Sequence, residues 1–459
     1  MTKSSQLHPD IDRAMRLSGS PRLLTEPNGS ASYLLHHYTI HIAPNMMPFK
    51  DPRNPWQSSY PLLSQCGNSA GHHSLYHAIL AQSAGNLAHL GVDRETYRAL
   101  NLKHQARSIE ELRKSIADEE NDFSIALASM LTLVFAGNYD EESNAWRLHL
   151  NGAWDLLTSC QNSKPWLEND FACVTTQSLC LMKIKNDRTT QEEKTLITSI
   201  AGHSDFGFTT GSTPELMSCI MEVDALHTQI NRNNQGLRVT GDLRSSHSKS
   251  SRTPSLGDIS PSSAGSKLPA TSVSSAASWL SPPSSTSSTR TLGSSLSSPQ
   301  ISQGNQSSIQ SLVDRIENCV IEPADPIIRT HHRIFLLGTL IYAHRQLHNP
   351  PPLSLFPYLS SLLDCIDRFV TIGGGHIALW PVFMASVEVY LPEHKRQVRE
   401  WMDRADAIGV PSRKNVRRLV EEIWRTREHV ARDTGMEEGE VVVDWRDVMA
   451  RLGMDVLLF

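Results

Sequence analysis

The sequence predicts an all-α fold, a helical bundle in two halves interrupted by a long disordered Ser-rich insertion. Apolar residues recur at helical spacing: steps of four and three separate Trp146, Leu150 and Ala153, so these side chains share one helix face. No alternation of strands with helices and no regular strand spacing occurs in the 459 residues. Over residues 241–308 serine dominates and periodic apolar residues almost disappear, so this segment cannot bury enough surface to offset its chain entropy.

The change in composition divides the chain into four parts. Residues 1–30 are polar and lack periodicity, which predicts a disordered N-terminal arm. Residues 31–240 and 309–459 carry helical patterns and are predicted to form the first and second halves of one helical domain, joined by the disordered linker 241–308. Ser-Pro and Thr-Pro pairs in the linker suit proline-directed kinases, but a Ser/Pro-rich linker also produces them by chance, so phosphorylation stays open. These pairs begin at Thr253, Ser260, Ser281 and Ser298.

The first half opens with an amphipathic segment at Tyr33–Tyr38, a proline-punctuated loop, and a helix rich in small residues that reaches Leu90. Trp56 is the large aromatic residue of the loop and is predicted to anchor it by packing. A charged amphipathic helix follows, and then the apolar run Phe123–Phe135, which predicts a buried central helix. Gly152 lies inside the next helix, where glycine costs about 1 kcal/mol relative to alanine, so a close helix crossing is predicted there.

Helical patterns separated by helix breakers predict the second half. Its longer helices are expected over residues 327–347, 353–370, 393–408 and 412–432. The glycines after Ile372 break the chain. Pro381 is tolerable only in the first turn of a helix, which would then begin at Leu379 or Trp380. Ser412 is placed to cap the helix over residues 412–432, and Asp444 is placed to cap a final helix.

Composition and charge narrow the class of protein. The hydrophobic fraction, 39%, is below that of a compact soluble domain, which agrees with an unfolded part. The net charge of −5 gives no general attraction to nucleic acid or to an anionic membrane. Seven scattered cysteines predict reduced thiols, and the first residues lack the apolar core of a signal peptide. The longest apolar run, Ile125–Phe135, is too short to span a bilayer, so a soluble intracellular protein is expected.

One motif matches the spacing of the nucleophile elbow of α/β-hydrolases. In Gly67-Asn-Ser69-Ala-Gly71 the G-x-S-x-G pattern would make Ser69 the nucleophile. The elbow requires a strand before it and the rest of a sheet, and residues 61–66 are a poor strand. A loop leading into a helix is therefore the favoured interpretation, and no catalytic residue is predicted.

Histidines spaced four residues apart could present two metal ligands on one helix face. The two such pairs are His37 with His41 and His73 with His77. Neither pair has a third ligand or a motif such as HExxH, so core or surface histidines are favoured and no metal site is predicted. No phosphate-binding glycine loop occurs either, and no cofactor is predicted. The remaining candidates, interpreted as packing or surface residues, are His36, His72, His331, His332, Cys173 and Cys180.

Two further segments have a chemical and a structural interpretation. The loop Gly373-Gly-Gly-His376 could form an oxyanion hole, but without a nucleophile it is interpreted as a helix break. The cluster Ser412–Arg418 is the densest basic group and could bind phosphates or act as a nuclear import signal. A solvated helix face is favoured because nearby carboxylates neutralise most of the cluster. These are Asp403, Asp406, Glu421 and Glu422.

Several short motifs, each weak alone, occur in an order that covers nearly all of the chain outside the arm and the linker. They are Tyr33–Tyr38 with Asn54-Pro-Trp56, His77–Ala81 with Ser83-Ala84, His149–Ala153 with Leu156-Leu157, Leu379–Phe383, Ile423-Trp424 with Arg427-Glu428, and Asp444-Trp-Arg446. In this order the chain resembles the fungal-specific transcription factor regulatory domain.

The resemblance implies a helical regulatory region of a nuclear transcription regulator in RNA polymerase II transcription, with no enzymatic activity. Such a region mediates effector response, dimerisation or self-inhibition. The expected partners are proteins: the transcription machinery, a DNA-binding partner or a second copy of the chain. A small-molecule effector is compatible with this role, and a membrane is not expected.

The sequence departs from the family pattern in its cysteines. The zinc cluster that usually precedes this domain needs six closely spaced cysteines, whereas the first cysteine here is Cys66 and no two are closer than seven residues apart. Specific DNA binding by this chain alone is therefore not expected; either a cluster is encoded upstream of Met1 or the chain acts through a partner. The alternative hypothesis is a helical ligand-binding or hydrolytic domain that uses a pocket between the two halves.

Overall fold

The structure, a computed structural model, describes residues 31–118, 122–139, 144–202, 206–245, 303–319, 325–410 and 412–458. For residues 234–245 and 303–304 it describes the backbone alone. The predicted N-terminal arm lies outside the described residues. So does most of the predicted linker, with its four Ser-Pro and Thr-Pro pairs.

The described residues contain sixteen α-helices and no β-strand, which confirms the all-α prediction. Nine of these helices precede the Ser-rich segment. They are α1 (Ala31–His37), α2 (Ser59–Cys66), α3 (Ala70–His89), α4 (Arg94–Ala117), α5 (Phe123–Gly137), α6 (Ala145–Ser159), α7 (Asp170–Asn186), α8 (Gln191–Ala201) and α9 (Pro214–Ser245). A π-helix at Tyr38–Ile42 and a 3₁₀ helix at Ala43–Met46 continue α1, and further 3₁₀ turns lie at Pro165–Leu167 and Phe208–Thr210.

The other seven helices follow the Ser-rich segment. They are α10 (Gln303–Glu317), α11 (Pro326–Leu347), α12 (Phe356–Thr371), α13 (Leu379–Ser386), α14 (Pro392–Asp406), α15 (Ser412–Thr434) and α16 (Trp445–Arg451). Short 3₁₀ turns lie at Pro352–Leu355 and Glu438–Glu440. None of the helices in the described parts of the chain combines the length and hydropathy that crossing a membrane requires.

The described residues up to 228 and those from 304 onward form one compact unit. The C-terminal part of α9, from residue 229, is assigned to a second unit. The boundaries predicted at 240 and 309 both fall inside helices, because α9 continues to Ser245 and α10 already begins at Gln303.

Helix α5 is the centre of the first half. All fifteen of its residues are buried, and it packs against α3, α6 and α7, which confirms the predicted central helix. Its N-terminus is capped by Asp122, whose side chain accepts hydrogen bonds from the backbone N–H of Ser124 and Ile125. Trp56 is 1% exposed and belongs to the same apolar cluster as Ile125, so the predicted anchoring role is also confirmed. Full burial of one large apolar side chain contributes about 1.5–3 kcal/mol.

The core of the second half forms where α11 meets α12 and α13. The Trp380 ring stacks on Phe335 with 5.6 Å between centroids. Gly338 permits close approach of the two helices, because a Cβ atom there would lie 2.5 Å from Cβ of Pro381. Helix α13 begins at Leu379, which places Pro381 in its first turn as predicted.

The predicted explanation for Gly152 is wrong. Trp146, Leu150 and Ala153 are buried on one face of α6, as predicted. Gly152 itself lies beside that face, and no atom would come within 4 Å of a Cβ built on it. No close helix crossing requires a glycine at this position.

Two predicted caps have different outcomes. Asp444 does cap the last helix, since its carboxylate accepts a 2.8 Å hydrogen bond from the backbone N–H of Arg446. Ser412 is the first residue of α15 rather than a residue preceding it.

Candidate functional site

A cavity of about 60 Å³ lies where the two halves of the domain meet. One wall comes from the π-helix and 3₁₀ helix after α1, together with α3, α5, the end of α7 and the turn Phe208–Thr210. The opposite wall comes from the loop before α13, the loop after α14, and the first turn of α15. Neither half could form this cavity without the other.

Asn86, on α3, connects the two walls. Its side-chain Nδ2 donates hydrogen bonds to the backbone carbonyls of Ile408, at 3.2 Å, and Gly409, at 3.0 Å. Its Oδ1 lies 2.8 Å from Nε2 of His37. Gly409 has φ of +79°, and a Cβ there would lie 2.7 Å from Asn86 Nδ2, so this close approach requires glycine.

Arg413 places a buried positive charge in the wall that the second half supplies. It lies in the first turn of α15 and is 3% exposed. Its Nη2 is 2.7 Å from both ring nitrogens of His376, while its Nε has no hydrogen-bond partner among the described residues. Burial lowers the pKa of Arg413 to about 10, against the opposing charges of Asp406 and Tyr139, so the guanidinium stays charged at neutral pH.

Lys185 brings a second cation to the cavity from the last turn of α7. It is 5% exposed, and burial lowers the pKa of its ammonium group to about 7. Burial, together with the charge of Arg413, lowers the pKa of His376 well below its usual value, so that ring is neutral at pH 7. The charge of the cavity wall therefore comes from Arg413 and Lys185.

His331, buried behind this wall, is held as a neutral imidazole. Its Nε2 accepts a 3.1 Å hydrogen bond from the backbone N–H of Ala378, which leaves Nδ1 as the donor to the Gly211 carbonyl at 3.3 Å. Burial lowers the pKa of His331 to about 4, in agreement with this tautomer. The two hydrogen bonds of the His331 ring thus hold the backbone of Ala378 and Gly211 in place next to the cavity.

The chemistry of the wall is that of anion recognition. Two cations, four amide side chains and two threonines line the cavity, and the rest of the wall is mostly apolar. Among the described residues that line it, none is an aspartate, glutamate, serine or cysteine. The arrangement can therefore bind charge, but it lacks the usual pairing of a nucleophile with a base.

A family model for the fungal specific transcription factor domain matches residues 33–459, which include both halves. The chain belongs to the fungal-specific transcription factor domain family. Comparisons with curated proteins and with solved structures gave no match. Membership makes the chain a transcription regulator by family, and it confirms the resemblance drawn from the ordered motifs.

In this fungal-specific transcription factor domain, Ser69 is the N-cap of α3. The residues before it form helix α2 rather than a strand, so the interpretation of the segment as a loop leading into a helix is confirmed. Ser69 Oγ lies 2.6 Å from Nδ1 of His72 in an exposed position outside the cavity. The serine and histidine are three residues apart, which is the geometry of a local cap.

The two histidine pairs have different contacts in the structure. His77 contacts His104 of α4, with their Nδ1 atoms 3.1 Å apart, rather than His73. His37 and His41 lie 4.9 Å apart between ring centroids, and only His41 lines the cavity. No group of three or more metal-ligating side chains occurs among the described residues.

The basic cluster at the start of α15 is only partly a solvated face. Lys414 and Arg418 are exposed, and Arg417 pairs with Asp403 at 2.6 Å. Arg413 faces inward, so for that residue the predicted solvated face is wrong. The glycine loop does break the helices as predicted, but it also delivers His376 to the cavity.

Sequence reasoning did not single out Lys185, Gln82 or Asn86, and it did not place Arg413 inside. Lys185 had a signal, because it follows Leu181 and Met182 of the buried face at steps of four and three. Gln82 and Asn86 lie among the small residues of α3, and Arg413 lies in a basic cluster that is typical of a solvated face. Their position in the cavity depends on which segment packs against them.

Proposed function

We propose that this domain is a regulatory and interaction module of RNA polymerase II transcription that works in the nucleus through protein partners. It does so without catalysis and without recognising a DNA sequence by itself. The observation that carries the proposal is the family match through residues 33–459. That match spans both helical halves, whose described residues pack as one unit up to 228 and from 304.

The charge distribution on α15 supports action through a protein partner. Binding to DNA phosphates needs cations that are free to reach the backbone. Arg413 of the basic cluster is buried, and Arg417 lies between Asp403 and Asp406. In the densest basic segment of the chain, Ser412–Arg418, two of the three arginines thus make internal contacts.

A tethering assay tests the regulatory role. The chain is fused to an unrelated DNA-binding domain in a fungal cell, and transcription of a reporter with matching sites is compared with that of the DNA-binding domain alone. We expect a change in reporter transcription and a nuclear location of the untethered chain. An unchanged reporter together with exclusion from the nucleus would count against the proposal.

A gel-shift assay at physiological salt tests the DNA component separately. We expect the purified chain to bind random and genomic DNA fragments weakly and alike, since non-specific binding is typically in the micromolar range or weaker. Nanomolar binding to one fragment, retained against excess competitor, would show that the chain recognises DNA without a partner.

The cavity favours a second candidate function, a ligand-binding domain that uses a pocket between the halves. Both halves supply its walls, including Lys185 from the first and Arg413 from the second. The hydrolytic version of this hypothesis would rest on Ser69, which lies outside the cavity. Esterase turnover by the purified chain that disappears in Ser69→Ala would support hydrolysis, and turnover unchanged by that substitution would exclude Ser69 as the nucleophile.

A further inference from the structure

Two buried cations, Arg413 and Lys185, line the cavity, and the compensation of the Arg413 charge within the described protein is incomplete. A buried charge is tolerated when an anion or a set of hydrogen-bond acceptors compensates it. Around Arg413 the nearest acceptor is the neutral His376 ring, and Nε has no partner in the described structure. Asp406 also acts on Arg413, but this carboxylate is shared with Arg417, at 3.5 Å.

Neutral polar groups of the same wall also have unused hydrogen-bonding capacity. Gln82 and Thr209 are each 2% exposed and line the cavity. Oε1 of Gln82 and Oγ1 of Thr209 have no hydrogen-bond partner among the described residues. The Gln82 amide Nε2 contacts only a thioether, Sδ of Met46, at 3.8 Å. Both side chains can therefore turn a donor, an N–H or an O–H, toward an oxygen placed in the cavity.

We propose that the cavity binds a small oxyanion, a carboxylate or phosphate-type group, held by Arg413 and Lys185 and by the neutral donors of Gln82 and Thr209. Its volume of about 60 Å³ limits the ligand. Planar guanidinium groups hold carboxylates and phosphates through paired hydrogen bonds, which suits Arg413 to this ligand class.

The ligand would contact both halves at once. Lys185, Gln82 and Thr209 belong to the first half and Arg413 to the second, so binding stabilises the assembled unit. This site goes beyond the proposed regulatory role and does not depend on it, because binding is measured on the purified chain. A negative result in the tethering assay would leave it intact.

The test is a titration of the purified full chain with sodium phosphate and with sodium acetate, against sodium chloride at matched ionic strength. The melting temperature and the heat of binding are recorded. We expect at least one oxyanion to raise the melting temperature saturably, whereas chloride does not. A response to phosphate alone identifies a phosphoryl-type ligand, and a response to acetate alone a carboxylate. No saturable response to either anion would overturn the proposal.

Variants on one helix locate the site. Arg413→Gln should weaken oxyanion binding about tenfold or more, since it removes a charge-assisted contact. Arg417→Gln, one turn further along α15 and facing Asp403, should bind as the unaltered chain does. Lys185→Met provides a second test should Arg413→Gln fail to fold, and it too should weaken binding. Affinity unchanged in a folded Arg413→Gln or Lys185→Met variant would contradict the assignment.

Discussion

Nη2 of Arg427 lies 3.6 Å from Oε2 of Glu388, and the two side chains are only 0% and 2% exposed. Arg427 also donates to three backbone carbonyls: those of Val387 and Val389, each at 2.8 Å, and Val441, at 3.2 Å. This buried arginine, on α15, therefore holds the segment that follows α13 against α15. Its hydrogen bond to Val441 also holds the segment before α16 against α15.

Replacing Arg427 should destabilise the folded domain. We expect Arg427→Met to lower the free energy of unfolding by about 3–5 kcal/mol, because three buried carbonyls lose their donor and Glu388 loses one of its two ion-pair partners. Adding Glu388→Gln should not recover the loss, because Glu388 is also paired with Arg345, at 2.7 Å, and the second substitution breaks that buried ion pair. Urea denaturation measures both. Arg425→Met is the control: Arg425 lies on the same helix with its side chain 64% exposed, and the change should stay within about 0.5 kcal/mol. Equal losses in the two arginine variants would contradict this role.

The carboxyl group of Asp224 should make stability fall as pH rises. Tyr342 donates a 2.5 Å hydrogen bond to Oδ1 of Asp224, and burial raises the pKa of this carboxyl to about 6. A raised pKa in the folded state stabilises the protein below the unfolded pKa of about 3.9, and this contribution is lost as pH rises through 6. We expect a loss of roughly 3 kcal/mol at most across this range.

Denaturation of the unaltered chain and of Asp224→Asn between pH 4 and pH 7 isolates this effect. The difference in unfolding free energy between the two should shift in favour of the Asn variant as pH rises. Buried histidines such as His331 have lowered pKa values and act in the opposite direction, but they are common to both proteins. A pH-independent difference would show that Asp224 is not perturbed.

Two helical glycines should respond oppositely to alanine. Gly152→Ala is expected to raise the free energy of unfolding by about 0.5–1 kcal/mol, because the residue is inside α6 and its new Cβ would meet nothing within 4 Å. Gly338→Ala should destabilise the domain, since its Cβ would lie 2.5 Å from Pro381. Thermal denaturation of the two variants compares them directly, and a loss of stability in Gly152→Ala would refute the first expectation.

Lys185 should reduce stability at neutral pH and less so at alkaline pH. Its folded pKa, about 7, lies below the ordinary lysine value of 10.5, so the unfolded chain binds more protons between these values. His331 and His376, which act electrostatically with Lys185, are already neutral in that range. Arg413, which lines the same cavity, has a pKa of about 10 and loses charge only near the upper end. The destabilisation caused by burying Lys185 therefore decreases as pH rises above about 7.

Lys185→Met should accordingly be more stable than the unaltered chain by roughly 2–4 kcal/mol at pH 7, and the gap should narrow toward pH 10. Lys183→Met on the same helix is the matched control. Its ammonium group pairs with Asp187 at 3.2 Å and Glu193 at 3.1 Å, so its removal should destabilise the domain. A Lys185→Met variant that is less stable at pH 7 would mean that the ammonium group is well compensated.

Much of the fold follows from local patterns. The apolar run of α5 identifies a buried helix, and Pro381 identifies the start of α13, because hydrophobic periodicity and proline geometry act within a few residues. The order of short motifs was sufficient to indicate the family. The misjudged Gly152 shows the limit, since whether another helix packs against a residue is decided by segments elsewhere in the chain.

The sequence by itself determined the all-α class, the central helix and the family, since each depends on local spacing or on the order of motifs along the chain. Only the tertiary structure decided which charged residues lie inside. Arg413 and Arg417 stand four residues apart in one basic cluster, yet one is buried in a cavity and the other pairs with Asp403. The difference comes from contacts such as that between Asn86 and Gly409, 323 positions apart, which no local pattern encodes.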